Sequence, residues 1–320
     1  MAINSYGNLT NEQKTFYDRT LLERLIPKLV FMQHGQKRTI PKREGATVDY
    51  RRFNRLDPAT TPLTEGVTPT GKALDIANVT ATVQGYGDYV TLTDFIDMAG
   101  IDPVITETIE VLGEQAAESL DIVVRDEIAK GTNAYYVTAD GVGTARDDVA
   151  GKLTGGVMRR IRQIMARNNV KPVPGTGGAY LAFVHPDVSY DIMEDNAAWT
   201  NANQYAGSTK IFNGELGKMY GIRFIETTMA PIYEGEGAGD AGLEADVYAS
   251  IVIGANAYGV PDIAGSSKPK TIVKPLGSAG TGDPLEQRSS VGWKAYLAAV
   301  RLDELCILRV ETIASVGALS

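Results

Sequence analysis

The residues best spaced for chemistry are Gly66-Val67-Thr68-Pro69-Thr70-Gly71-Lys72-Ala73, which follow the phosphate-binding G-x-x-x-x-G-K-[ST] pattern up to its last position. That pattern cradles phosphates on backbone N–H groups and holds magnesium on a hydroxyl, and Ala73 has no hydroxyl. No buried strand runs into the segment and no helix start follows Lys72, so no nucleotide site is expected. Gly141 and Gly143 open a dinucleotide-like spacing, but Arg146 stands where the third glycine belongs. Gly277, Gly280 and Gly282 read as loop glycines. With only His34 and His185 in the chain, a His-rich zinc site and an HExxH pair are excluded. His185 precedes Pro186 and reads as a helix-capping or structural histidine rather than a base. No G-x-S-x-G elbow occurs, and the single cysteine, Cys306, lies in an apolar strand pattern that disfavours a thiolate. The chain has 39 acidic residues, and abundance alone gives a carboxylate pair no support. No catalytic residue, cofactor or metal ligand is therefore expected, and the function has to be sought in assembly.

The composition agrees. Of 320 residues, 43% are apolar and 22% charged, an ordinary globular balance that suggests about two compact units. No run approaches the roughly 18 consecutive apolar residues that a bilayer span needs. The polar opening, Met1 to Thr10, lacks the pattern of a secretory signal, and one cysteine cannot form an intrachain disulfide, so synthesis in a reducing cytoplasm is expected. The net charge of −8 argues against a surface that grips nucleic acid throughout. Its distribution is uneven: from Lys28 to Arg55 eight basic residues face two acids, a balance of +6, which leaves about −14 for the remainder. The basic segment therefore calls for an acidic partner, either nucleic acid or another copy of the chain.

The elements follow from periodicity. Residues 11 to 32 read as an amphipathic helix that Pro27 should break or kink, an arm rather than a core. From Gln36 to Thr82, seven prolines and glycines punctuate a stretch too poor in large apolar residues to close a core. Alternation over 47–53 and 78–83 predicts two long strands of a hairpin with a Pro-rich tip, which would be marginal unless it lies on something else. Asp102 as N-cap, Pro103 at the first helical position and Gly131 after Lys130 bound a helix of about 42 Å. Its apolar stripe is Ile105, Ile109, Leu112, Ala116, Leu120 and Val123, and Glu107, Glu110, Glu114, Glu118 and Asp121 mark the other face. That acidic face is either solvated or paired with the basic segment.

Further helices are expected over 156–168, with an arginine-rich outer face, and from Pro186 to Met193, after a buried strand at 179–184. Residues 233–246, glycine-rich and acidic, read as an exposed flexible loop. Segments 292–302 and 305–313, either side of Asp303-Glu304, read as a closing antiparallel pair.

Three runs carry a resemblance. Leu63-Thr64-Glu65-Gly66-Val67-Thr68-Pro69, Gly85-Tyr86-Gly87-Asp88-Tyr89-Val90-Thr91-Leu92-Thr93-Asp94, and Gly280-Thr281-Gly282-Asp283-Pro284-Leu285-Glu286-Gln287-Arg288 with Val291-Gly292-Trp293-Lys294 resemble the major capsid proteins of N4-like tailed phages. The resemblance implies an α+β Hong Kong 97-type capsid fold. Carried onto this chain it gives an N-terminal arm at 1–36 and an extended E-loop at 37–90. A peripheral domain would comprise 91–149 and 266–320 with a spine helix at 102–130, and an axial domain 150–265. It also implies self-assembly into hexamers and pentamers of an icosahedral head that encloses double-stranded DNA without sequence-specific binding, with scaffold, portal and decoration proteins as further partners, no membrane, and assembly in the host cytoplasm.

On this reading Lys37, Arg38, Lys42, Arg43, Arg51, Arg52 and Arg55 meet Glu107, Glu110, Glu114 and Glu118 of an adjacent subunit, and the net negative chain adheres only weakly to packaged DNA. The rival readings are an enzyme built on the degenerate Gly66–Lys72 segment and an accessory virion structural protein.

Overall fold

The computed structural model describes residues 30–95, 104–139, 141–194, 215–238, 244–278 and 283–315. Residues 11–29 of the expected arm helix, the Asp102 and Pro103 start signals, Lys28, and Gly280 to Gly282 lie outside the described residues. In chain order the elements are α1 (Phe31–His34), β1 (Gln36–Ile40), β2 (Thr47–Phe53), β3 (Ile76–Thr82), β4 (Gln84–Thr93) and α2 (Val104–Ala129). Then come β5 (Ala134–Val137), β6 (Val142–Gly143), α3 (Gly155–Arg167), β7 (Tyr180–Val184), α4 (Pro186–Glu194), β8 (Glu215–Met219), β9 (Ile222–Glu226) and β10 (Ile232–Ala238). The chain finishes with β11 (Glu244–Ile253), β12 (Tyr258–Ile263), β13 (Lys270–Lys274), β14 (Arg288–Leu297), β15 (Val300–Arg301) and β16 (Ile307–Thr312).

Two sheets hold the core. The first has six strands in the order β1-β12-β14-β13, with β4 along β14 and β15 on β12. The second has eight, β6-β5-β16-β11-β7-β9-β8, with β10 on β11. Helix α2 packs between them: Ile109, Leu112, Ala116, Leu120, Val124 and Ile128 are buried against Val291, Trp293 and Leu297 of one sheet and Leu181, Phe183, Ile251 and Ile253 of the other. The expected rod and stripe are present. At 1.5 Å per residue its 26 residues extend about 39 Å. A second cluster fills the far face of the eight-stranded sheet, where Met158, Ile161 and Met165 of α3 and Val188 and Ile192 of α4 cover Tyr180, Ala182, Ile222 and Phe224. Thr154 caps α3 by accepting from Val157 N, and His185 caps α4 by accepting from Asp187 N at 3.3 Å.

Three expectations need correction. Asp121 is not solvated with the rest of the acidic face: it is 1% exposed, and its Oδ1 accepts from Phe31 N at 2.9 Å. It shares the helix face of Glu110, Glu114 and Glu118, but α1 covers this turn and presents N–H groups that need an acceptor. Residues 233–246 are not a loose loop, because β10 and β11 pair antiparallel from Ile232↔Tyr248 to Ala238↔Glu244, with 239–243 outside the described residues. Glycine permits this close pairing, since a Cβ at Gly237 would lie 2.8 Å from a Val247 methyl. Nor do the last long strands pair with each other. β14 belongs to the six-stranded sheet, whereas β16 lies between β11 and β5 of the other, and the 303–306 turn carries the chain across. The apolar alternation specified two strands, but each found its partners in a different layer.

Candidate inter-subunit surface

The hairpin expected from alternation is present, in the register Thr47↔Thr82 through Phe53↔Ile76. Period-two geometry sorts its faces. Val48 and Tyr50 with Val79 and Ala81 face the body, where they join Ile40, Val83, Ala298 and Val300 in a small cluster. Tyr50 is the anchor. The Arg38 guanidinium lies 5.1 Å from its ring centroid, and a Cβ at Gly259 would come within 2.6 Å of its hydroxyl. Burial pushes the Tyr50 phenol above its ordinary pKa, with the Arg38 charge a smaller opposing effect. Arg52, on the same face, pairs with Asp303. The opposite face carries Arg51, Phe53 and an Asp49–Thr80 hydrogen bond of 2.7 Å.

Beyond Phe53 the chain leaves its own body. Residues 54–75 form no helix or strand, and every one of them is exposed. Leu56, Leu63, Val67 and Leu74 are exposed large apolar residues in this group, and Phe53 and Ile76 at the strand ends join them, Leu63 reaching 78%. The phosphate-loop-like run lies here; Lys72 Nζ donates to the Asp57 carbonyl at 3.1 Å, and no helix follows.

The two charged sets expected to meet are both on the surface. Lys37, Arg38, Lys42, Arg43, Arg51, Arg52 and Arg55 are exposed, as are Glu107, Glu114 and Glu118, while Glu110 is half-buried. Among the described residues no ion pair within the chain joins one set to the other. Only Arg52 of the basic set has an acidic partner there, Asp303.

A groove of about 580 Å³ lies on the six-stranded sheet, on the side away from α2. The register places Gly87 beside Lys294, Gly292 beside Tyr89, and Gly85 beside Tyr296, so glycines floor it and tyrosines stand along it. Tyr89 is 70% exposed. On the inner side of the same strands Gln115 of α2 donates to Asp88 at 2.7 Å and accepts from Trp293 Nε1 at 3.2 Å. The sequence reading missed this groove; the spaced glycines of Gly85-Tyr86-Gly87-Asp88-Tyr89 were its visible signal.

The remaining candidates take structural places. Cys306 is partly buried and its thiol is pushed up to about 11, chiefly by burial. His185 is held below its ordinary pKa, mainly by burial, against the opposing pull of Asp187. No group of three or more His, Cys, Asp or Glu side chains suited to a metal occurs among the described residues.

A family model described as phage capsid protein matches residues 76–310. The capsid of Ralstonia phage GP4 is similar in structure, with a TM-score of 0.68 and 13% identity over 88% of this chain and 87% of that one. The Cyanophage Pam1 capsid asymmetric unit gives 0.63 and 15%, covering 92% of both chains. The acid-stable capsid of Helicobacter pylori bacteriophage KHP30 gives 0.63 and 12%, covering 87% of both. No curated protein sequence matches. At these identities the structural likeness is one of fold.

Proposed function

The chain belongs to the phage capsid protein family and is a major capsid protein of the Hong Kong 97-type fold; from that premise we propose that it assembles into hexamers and pentamers of an icosahedral head around double-stranded DNA. The observation that carries this reading is the exposed apolar tip of the β2–β3 hairpin. Six large apolar side chains left 45–78% exposed on their own subunit are a standing free-energy cost, at roughly 25 cal/mol per Å² of apolar surface left in water. A neighbouring copy removes that cost by lying over the tip.

In this reading residues 1–36 are the arm and 37–90 the E-loop. Residues 91–149 and 266–320 are the peripheral domain, with 102–130 as spine helix, and 150–265 are the axial domain. Four strands cut across the boundary between peripheral and axial segments, since β12 joins the six-stranded sheet and β5, β6 and β16 the eight-stranded one. The N4-like subtype, assembly in the host cytoplasm, and scaffold, portal and decoration partners belong to the same proposal. The basic face of the E-loop meets Glu107, Glu110, Glu114 and Glu118 of an adjacent spine helix. Exposed pairs contribute only about 0–1 kcal/mol each, so they set register while apolar contacts supply affinity. The glycine-floored groove with Tyr89 is a second surface that a neighbour covers.

Electron microscopy of the chain expressed with its phage partners tests the reading: closed shells are expected, whereas small closed rings would assign it to an accessory role. Arg51→Glu with Arg55→Glu tests the register without touching the Arg52–Asp303 pair. Loss or malformation of shells is expected, and unchanged assembly would refute the charged contact.

A further inference from the structure

The outer face of α3 differs from the rest of the surface. From 149 to 186 the chain has no acidic residue, although it contains 39 in all, and the same 38 residues carry Lys152, Arg159, Arg160, Arg162, Arg167 and Lys171. On the helix, at 100° per residue, Arg159 and Arg162 flank one side of the exposed strip and Arg160 and Arg167 the other. Gly156 and Gln163 lie between the two pairs and Ala166 between Arg162 and Arg159, so the strip is uncharged in the middle and cationic at both edges. Arg159 lies over the Tyr220 ring, 5.6 Å from its centroid, and Arg160 donates to Gln163 at 2.7 Å. Among the described residues no acidic side chain pairs with any of the four arginines.

The strip also lacks what a protein partner needs. No large apolar side chain between 149 and 186 is exposed, whereas the hairpin tip has several. Protein interfaces are centred on buried apolar and aromatic anchors, with charges toward the rim, while a phosphate backbone requires little beyond cations, for which the arginine fork is well shaped.

From this we infer that the outer face of α3 is a contact surface for the phosphate backbone of duplex nucleic acid. The inference rests on the shell reading, because a shell that encloses DNA presents an inner wall to it. It departs from the expectation set by the net charge of −8, since four arginines concentrated on about 20 Å of helix decide the local field. The contact is sequence-independent, because nothing on the strip reads base edges.

Fluorescence anisotropy of the purified chain with a labelled 30-base-pair duplex, titrated at several salt concentrations, tests it. Four phosphate contacts give a log–log salt slope of about −3.6, or roughly a hundredfold loss of affinity between 50 and 200 mM salt. Arg160→Gln with Arg167→Gln should reduce the slope to about −1.8 and the loss to roughly tenfold, while Arg160→Lys with Arg167→Lys should keep the full slope. The lysine variant separates lost charge from lost folding. Lys42→Gln with Arg43→Gln, on the hairpin side, should leave the salt slope of DNA binding at about −3.6, whatever it does to shell formation. If the hairpin variant lowers the slope and the α3 variant does not, or if the α3 variant abolishes shells and leaves DNA binding intact, the inference is overturned. Shell formation by the same variants is read separately by electron microscopy, so failure here leaves the capsid reading standing.

Discussion

Helix α2 lies between two sheets and hides its apolar stripe within its own subunit, whereas the β2–β3 hairpin rests on the body only through the cluster around Tyr50 and extends Phe53, Leu63, Val67 and Leu74 into solvent. Both elements are long and both carry charge. The difference shows that one chain can hold a self-sufficient core and an element whose apolar residues its own subunit leaves exposed, which on the proposed reading another copy buries. The sharpest way to break this comparison is a pair of truncations. Leu120→Ala, at a fully buried site, should cost about 2–5 kcal/mol of unfolding free energy and lower the denaturant midpoint clearly. Leu63→Ala should stay within about 0.5 kcal/mol in the unassembled chain and instead reduce shell yield. Equal stability losses at the two sites would remove the distinction.

The joint between these regions holds the next largest effect. Asp121 accepts the Phe31 N–H, and Tyr258 donates its hydroxyl to the Phe31 carbonyl, so α1 is fastened to α2 and to β12 by buried polar groups. Burial raises the Asp121 carboxyl from its ordinary 3.8 to about 6, against the pull of backbone hydrogen bonds from Phe31, Met32 and Val30 and of the Arg125 charge. A folded-state pKa above the unfolded one means that the native state takes up the proton first. The stability it contributes is full below about 4 and is lost as pH rises through 6, an upper bound of about 3 kcal/mol. Asp121→Asn should remove this part of the pH dependence. Thermal unfolding of both proteins from pH 4 to 7.5 checks it, and parallel profiles would refute it.

Much of this architecture could be read before any coordinates, for a physical reason. The α2 stripe, the α3 and α4 helices and the two hairpin strands are local periodicities, and each is written in residues three, four or two apart. What could not be read was pairing at long range. Nothing in 305–313 says that its neighbours are β11 and β5 rather than β14, because an apolar strand suits either sheet. The acidic run at 233–246 looked like a loop because its glycines and charges are loop-forming on average, yet β11 supplied an edge for it to pair with. Asp121 looked solvated because its fate depended on α1, some 90 residues away in the chain. The candidate surface was legible as a deficit, too few apolar residues to close a core, while the Tyr50 anchor and the glycine-floored groove were not.

The groove gives a smaller prediction on the stable side of the comparison. A Cβ at Gly87 would lie 2.5 Å from the Trp293 carbonyl oxygen, a backbone atom that cannot swing aside. Gly87→Ala should therefore force β4 and β14 apart and cost about 1–3 kcal/mol, measurable by urea unfolding. Unchanged stability would mean that the two strands have slack the register does not suggest.

The smallest effect is expected at the hairpin base. The Arg52 and Asp303 side chains are 50% and 29% exposed, so water screens their pair and its contribution should fall at or below about 1 kcal/mol. Tyr50, buried beside it, holds the hairpin through apolar contact. Arg52→Ala should thus leave the unfolding midpoint nearly unchanged, whereas Tyr50→Ala should loosen the whole hairpin and expose it to protease. Limited proteolysis of the unassembled chain distinguishes the two: early cleavage within 40–83 is expected for the tyrosine variant only. If the arginine variant were cut equally early, the ion pair rather than the apolar cluster would be the hinge, and screening by salt should then free the hairpin in the native chain as well.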